Sequence, residues 1–300
     1  MKKMKKMKLN KFKVKPKQAV KLSKIATDTN GKNFDKKILK SMLAKDIEEI
    51  SKLQNKLFAE NRQSLLIILQ GMDSSGKDGT IKHIMSGVNP QGVWVYSFKH
   101  PSALELEHDY LWRHARKLPE HGQITIFNRS HYENVLISKV HPEIVLAERL
   151  LNIKSITKID KDFWDKRYKQ INNFEKSTVQ NGTHILKIFL HLSKQEQSKR
   201  FLERIENKEK YWKFSSNDIT EREFWADYQS AYEQALKHTS TNIAPWYIVP
   251  ADEKLYAHFL IGRIILEKLR AMKPSFPPID VKEKELMTKA KRKLKKESKH

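Results

Sequence analysis

A chain of 300 residues, 39% hydrophobic and 31% charged, has room for one α/β domain with insertions and can bury a sizeable core. The absence of cysteine excludes disulfides, thiolate catalysis and zinc–thiolate sites, and leads us to expect a reducing, cytoplasmic setting. No stretch approaches the roughly 18 apolar residues of a membrane span, and the net charge of +24 lies mostly at the two ends.

Residues 1–24 carry eleven lysines and no acid, without the apolar segment of a secretory signal, and read as a basic tail. Such a tail is either a solvated end or a device that gathers a polyanion; charge by itself does not choose among nucleic acid, anionic membrane and polyphosphate. Residues 25–276 read as one domain with no internal repeat. Within it, short apolar runs alternate with helical stretches: Leu65–Gln70, Val93–Phe98, Ile124–Phe127, Ile185–His191 and Trp246–Val249. This pattern predicts a doubly wound α/β sheet of about five parallel strands covered on both faces. Ser193 with Glu196, and Thr220 with Glu223, have the spacing of helix capping boxes.

The first strand leads into Gly71-Met72-Asp73-Ser74-Ser75-Gly76-Lys77-Asp78-Gly79, whose Gly71, Gly76 and Lys77 satisfy the spacing of a phosphate-binding loop. Glycines let backbone amides, including those of Ser74, Ser75 and Gly79, turn around phosphate oxygens; the next helix offers its free N–H groups and Lys77 a cation. Asp78 stands where Ser or Thr usually offers a hydroxyl to Mg²⁺, and is expected to complement the helix dipole. Asp73 inside the loop would repel phosphates unless a cation lay between them, which makes it the expected Mg²⁺ ligand. Lys82, one turn beyond Lys77, either extends the cation track or is solvated.

The third strand ends in Asn128-Arg129-Ser130-His131-Tyr132-Glu133. Asn128 can orient a water, Arg129 can clamp a phosphate through two donors, and Glu133 can complete the metal site. His131 and Tyr132 are given no chemistry. Residues 200–222 form a basic segment with Arg200, Arg204, Lys208, Lys210, Lys213 and Arg222, suited to a lid that neutralises phosphates and excludes water, or else to a charged solvent-facing helix. Trp225, Tyr228 and Tyr232 are expected as the buried stripe of a helix. Residues 277–300 read as a second tail, with nine Lys/Arg against three Glu over 281–300.

The loop GMDSSGKDGTIKHIMSGVNPQGV, the segment FNRSHYENVL and the stretches WKFSSNDITEREFWADYQSAYEQAL and TSTNIAPWYIVPADEK resemble polyphosphate kinase family 2, over about residues 40–272. Asn128 followed by HYEN resembles the subgroup that accepts nucleoside mono- and diphosphates. The resemblance implies a thymidylate-kinase-like P-loop fold with a helical lid, Mg²⁺ dependence, polyphosphate as phosphoryl donor, and adenine nucleotides as acceptors, with guanine nucleotides the open alternative. It carries over Asp73, Gly76, Lys77, Asn128, Arg129 and Glu133, and in the lid Arg204, Lys210, Lys213 and Arg222. A homo-oligomer is expected, and neither membrane nor nucleic acid is expected as a partner. Two readings compete: an ATP-dependent nucleoside monophosphate kinase, which would share loop and lid without needing Asp73, and a basic nucleic-acid-binding protein, for which no recognition motif is found.

Overall fold

The computed structural model describes residues 9–31 and 34–298. A single five-stranded sheet organises the chain, with all ladders parallel and the order β2-β3-β1-β4-β5: β1 is Ser64–Gly71, β2 Val93–Ser97, β3 Ile124–Asn128, β4 Thr183–His191 and β5 Trp246–Pro250. All five expected strands are present, at bounds within a residue or two. Alternate residues of the central strand feed opposite faces. Leu65, Ile67 and Leu69 join one core with α1 (Lys36–Glu60), α2 (Lys77–Ile84) and α6 (Lys254–Met272). Leu66 and Ile68 join the other, with α3 (Lys161–Gln180) and α5 (Trp225–Thr239). This is the doubly wound α/β architecture expected from the strand runs, and the P-loop kinase-like fold that the resemblance implies. No helix among the described residues is long and apolar enough to cross a membrane.

Helix starts are set by side chains. Asp35 accepts from the amides of Lys37 and Ile38 at the head of α1, and Asp160 from that of Phe163 at the head of α3. Ser193 caps α4 (Lys194–Glu206) by accepting from Glu196 N at 3.0 Å, as its spacing predicts. Thr220 does not cap α5. It closes the short helix Ser216–Thr220, and α5 begins at Trp225 after Phe224, which makes no side-chain cap. The chain turns twice between those helices, and the sequence spacing cannot register that.

The N-terminal segment also departs from expectation. The first eight residues of the basic tail lie outside the described residues, but residues 9–24 are docked on the sheet through the buried Val14 and Leu22, while most of the others stay exposed. Val14 N donates to Trp246 O at 2.9 Å, Lys13 pairs antiparallel with Tyr247, and Leu22 is buried beneath the His191 imidazole. The segment therefore covers the β5 edge of the sheet, whose backbone groups would otherwise be open. The apolar residues Val14 and Leu22 outweigh the surrounding lysines, which keep their charged ends in water. At the other end, α7 (Val281–Glu297) is helical, with every residue exposed.

Candidate active site

β1 delivers the chain to Gly71 at the carboxyl edge of the sheet, the edge where open α/β sheets bind ligands. A Cβ on Gly71 would lie 2.7 Å from Ser75 Oγ and 2.9 Å from Leu190 O, so only glycine fits. Ser74 at φ 61° and Gly76 at φ 100° both turn the backbone through the left-handed region. For Ser74 that conformation is strained and is held by its surroundings. α2 then starts at Lys77, which is 8% exposed and folds back so that its ammonium donates to Gly71 O at 2.8 Å and Met72 O at 3.3 Å. Burial pulls the pKa of this lysine down, and Arg129 adds to the pull; the carboxylates of Asp73, Glu133 and Asp78 oppose it.

β3 ends beside the loop. Arg129, at φ 61°, donates its backbone N–H to Leu69 O at 3.1 Å. Its guanidinium donates to Asp73 Oδ1 at 2.6 Å. Burial works against the arginine charge, but the carboxylates of Glu133 and Asp73 outweigh it and raise its pKa. Glu133, in the turn His131–Val135, is pushed up by burial and drawn back by Arg129 and Lys77. Asn128 Nδ2 donates to Asp78 Oδ1 at 2.7 Å and to Ser97 Oγ at 3.3 Å. Asp78 is thus tied across to the third strand, beyond its expected service to the helix dipole.

Gly71, Asp73, Arg129, Glu133 and Arg222 line one small cavity, together with Tyr228 and Tyr232 of α5. Arg222 comes from the far side of the lid segment and donates to Gln197 Oε1 at 2.8 Å. Of the expected buried stripe only Tyr232, 6% exposed, is fully buried; Trp225 and Tyr228 are half-buried against the same core, and Tyr228, which donates to Glu221 at 2.6 Å, walls the cavity together with Tyr232.

Around the loop, Ser74 Oγ, Ser75 Oγ, Thr80 Oγ1 and Asn128 Oδ1 are buried without a protein partner, the polar lining that a hydrated ligand would satisfy. Among the described residues no group of three or more His, Asp or Glu could cage a metal ion. Mg²⁺ does not need one: it keeps several waters and takes one or two carboxylates plus substrate phosphate oxygens. Asp73 and Glu133 on one cavity wall, with these oxygen donors nearby, fit that requirement.

Lys82, Arg204, Lys210 and Lys213 stand apart from both the phosphate loop and the cavity. Lys82 is exposed on α2. Arg204 donates to Asp218 at 3.2 Å, Lys210 is paired with Glu203, and Lys213 lies over the Trp212 ring. Gln197 and Arg200, by contrast, touch the loop directly; the sequence marks Arg200 only as one cation of the basic segment and Gln197 not at all. Beneath the turn after β3, a fully buried network was equally hidden from the sequence. Lys187 Nζ donates to Glu175 Oε2 at 2.6 Å, Tyr132 Oη at 2.8 Å and Thr239 O at 2.7 Å, while Tyr132 Oη donates to Glu175 Oε1 at 2.7 Å. Two charges out of water hold only because each is paired and hydrogen-bonded. The network fixes His131 and Tyr132, and through them the backbone that carries Arg129 and Glu133.

Comparisons with known proteins find relatives over most of the chain. The family described as Polyphosphate kinase 2 (PPK2) matches residues 33–277. An ADP-polyphosphate phosphotransferase of Rhodopseudomonas palustris is 48% identical over 272 residues, covering 91% of this chain and 93% of the relative. An AMP/ADP-polyphosphate phosphotransferase of Meiothermus ruber is 40% identical over 270 residues, covering 90% and 96%. Among solved structures, polyphosphate kinase 2 from Arthrobacter aurescens TC1 superposes with a TM-score of 0.80 at 36% identity, covering 90% of this chain and 93% of that one.

Proposed function

The chain belongs to the polyphosphate kinase 2 family, and on that premise we propose how its phosphate loop moves a phosphoryl group between inorganic polyphosphate and a nucleotide. The reading takes AMP and ADP as acceptors, supported by relatives named for ADP and for AMP/ADP. The observation that carries it is the convergence of Lys77, Asp73, Arg129 and Glu133 on one glycine-shaped loop.

Phosphoryl transfer spreads negative charge over the group in transit, so the protein's work is positioning and charge stabilisation. The loop amides and Lys77 hold the phosphate chain. Lys77 exchanges its bonds to Gly71 O and Met72 O for phosphate oxygens. Arg129, already charged and fixed to Asp73, presents its remaining donors to the transferred group or its neighbour. Asp73 and Glu133 would hold Mg²⁺, which when bound supplies charge neutralisation and Lewis acidity to the phosphates. The acceptor phosphate is itself anionic, so no strong general base is required. Arg222 closes the cavity on the side facing α4, and the tyrosine wall excludes water that would otherwise intercept the phosphoryl group.

The basic ends extend the same chemistry. Six of the eight residues from Lys289 to Lys296 are Lys or Arg on the exposed helix α7, which raises the local concentration of a long polyanion. We place the enzyme in the cytoplasm, in keeping with a chain free of cysteine.

The test is a donor comparison. Purified protein is supplied with Mg²⁺, AMP or ADP, and either polyphosphate or ATP, and the products are separated by chromatography. Polyphosphate is expected to convert AMP to ADP and ADP to ATP, at rates about tenfold or more above ATP-driven phosphorylation of AMP, a preference of about 1.4 kcal/mol. Transfer from ATP but not from polyphosphate would make the protein an ordinary monophosphate kinase.

A further inference from the structure

We propose that Gln197 and Arg200, both on α4, are positioning residues that set the phosphate loop in its anion-binding shape by holding three of its carbonyl groups from behind. Gln197 Nε2 donates to Asp73 O at 2.9 Å, and Arg200 Nη1 donates to Ser74 O at 2.9 Å and Ser75 O at 3.1 Å. Three consecutive loop carbonyls are therefore turned toward α4. A peptide unit is planar and trans, so a carbonyl and the following N–H point in opposite directions. Fixing the carbonyls of residues 73–75 fixes the amides of Ser74, Ser75 and Gly76 away from α4. That of Ser75 closes the loop's own turn onto Met72 O. Those of Ser74 and Gly76 face the side that a phosphate would occupy.

Arg200 is anchored in turn. Its Nη2 donates to Ala251 O at 2.6 Å and Asp252 O at 2.9 Å, just past β5, and its Nε to Glu196 at 2.9 Å. The guanidinium is 5% exposed, so it is not free to reach a phosphate from solvent, and its donors are spent on four backbone carbonyls and the Glu196 carboxylate. Only a rigid fork with five N–H donors can serve the loop and the β5 exit together; an ammonium has three donors on one atom. Gln197 links the brace to the lid, since its Oε1 accepts from Arg222. The strained φ of Ser74 is the local cost of this arrangement, and the donors behind it keep it in place.

The inference rests on the loop's holding a phosphate chain, and the experiment separates the two. Affinity for inorganic tripolyphosphate with Mg²⁺ is measured by calorimetry for the wild type, Arg200→Lys and Gln197→Leu, at a temperature where circular dichroism shows all three folded. The KM for polyphosphate is measured alongside. The wild type is expected to bind, and each variant to bind about tenfold or more weakly, with the KM rising in parallel, a difference of about 1.4 kcal/mol. Gln197→Leu removes the bonds to Asp73 O and Arg222 without removing a charge, so it reports on the brace even if Arg200→Lys fails to fold. Variants that melt earlier but bind tripolyphosphate as the wild type does would overturn the positioning role. A wild type that binds no tripolyphosphate would instead overturn the phosphate-loop reading itself.

Discussion

Asp73 and Lys77 carry the chemistry at the smallest scale. The Asp73–Arg129 pair is about a third exposed on both sides, so water screens it and it contributes little to stability. Its purpose is to fix a cation and an oxygen donor next to the phosphates. Asp73→Asn and Lys77→Ala are therefore expected to lower kcat/KM by about 10²–10³-fold, roughly 3–4 kcal/mol, with unchanged far-ultraviolet circular dichroism. Turnover near wild type in either variant would remove that residue from the mechanism. Gly71, Gly76 and Lys77 were legible because the loop's spacing is contiguous and its glycines are forced by local geometry. The hold of Gln197 and Arg200 on the loop was not, although Arg200 stood out as a cation of the basic segment: more than a hundred residues separate them from the carbonyls they hold, and only the packing of α4 against the loop brings them there. Arg204, Lys210 and Lys213 were read as site cations because their charge is visible in sequence, whereas their partners Asp218, Glu203 and Trp212 emerge only on folding.

Elements were read more completely than residues. β1, β3, β4 and β5 are buried along nearly all their length and must be apolar throughout, so their runs stood out from the polar helices around them, whereas the edge strand β2, with Trp94 and Val95 exposed, was legible only from its β-branched and aromatic residues. The packed N-terminal segment was missed because two apolar residues among lysines make no periodic pattern, yet Val14 and Leu22 suffice to dock it on the β5 edge. α7 differs in having no buried residue, so its lysines are all available to a polyanion. Deleting residues 281–300 is expected to raise the KM for polyphosphate of hundreds of units several-fold at low salt, and to leave kcat and the KM for tripolyphosphate unchanged. An equal effect on both chain lengths would show that the helix supports the fold instead.

Across the whole molecule, the strand order is what assembles the site. β1 and β3 are neighbours in the sheet although more than fifty residues apart in sequence, and both end at the same edge. The loop after one strand and Asn128-Arg129 at the end of the other therefore face each other, with α4 closing the third side from beyond β4. Crystals soaked with tripolyphosphate and Mn²⁺ in place of Mg²⁺ test this assembly most directly. The account predicts phosphates seated against Lys77 and the amides of Ser74 and Gly76, with an anomalous metal peak at coordination distance from Asp73. Phosphates bound elsewhere, with the hollow of residues 71–77 left empty, would contradict it.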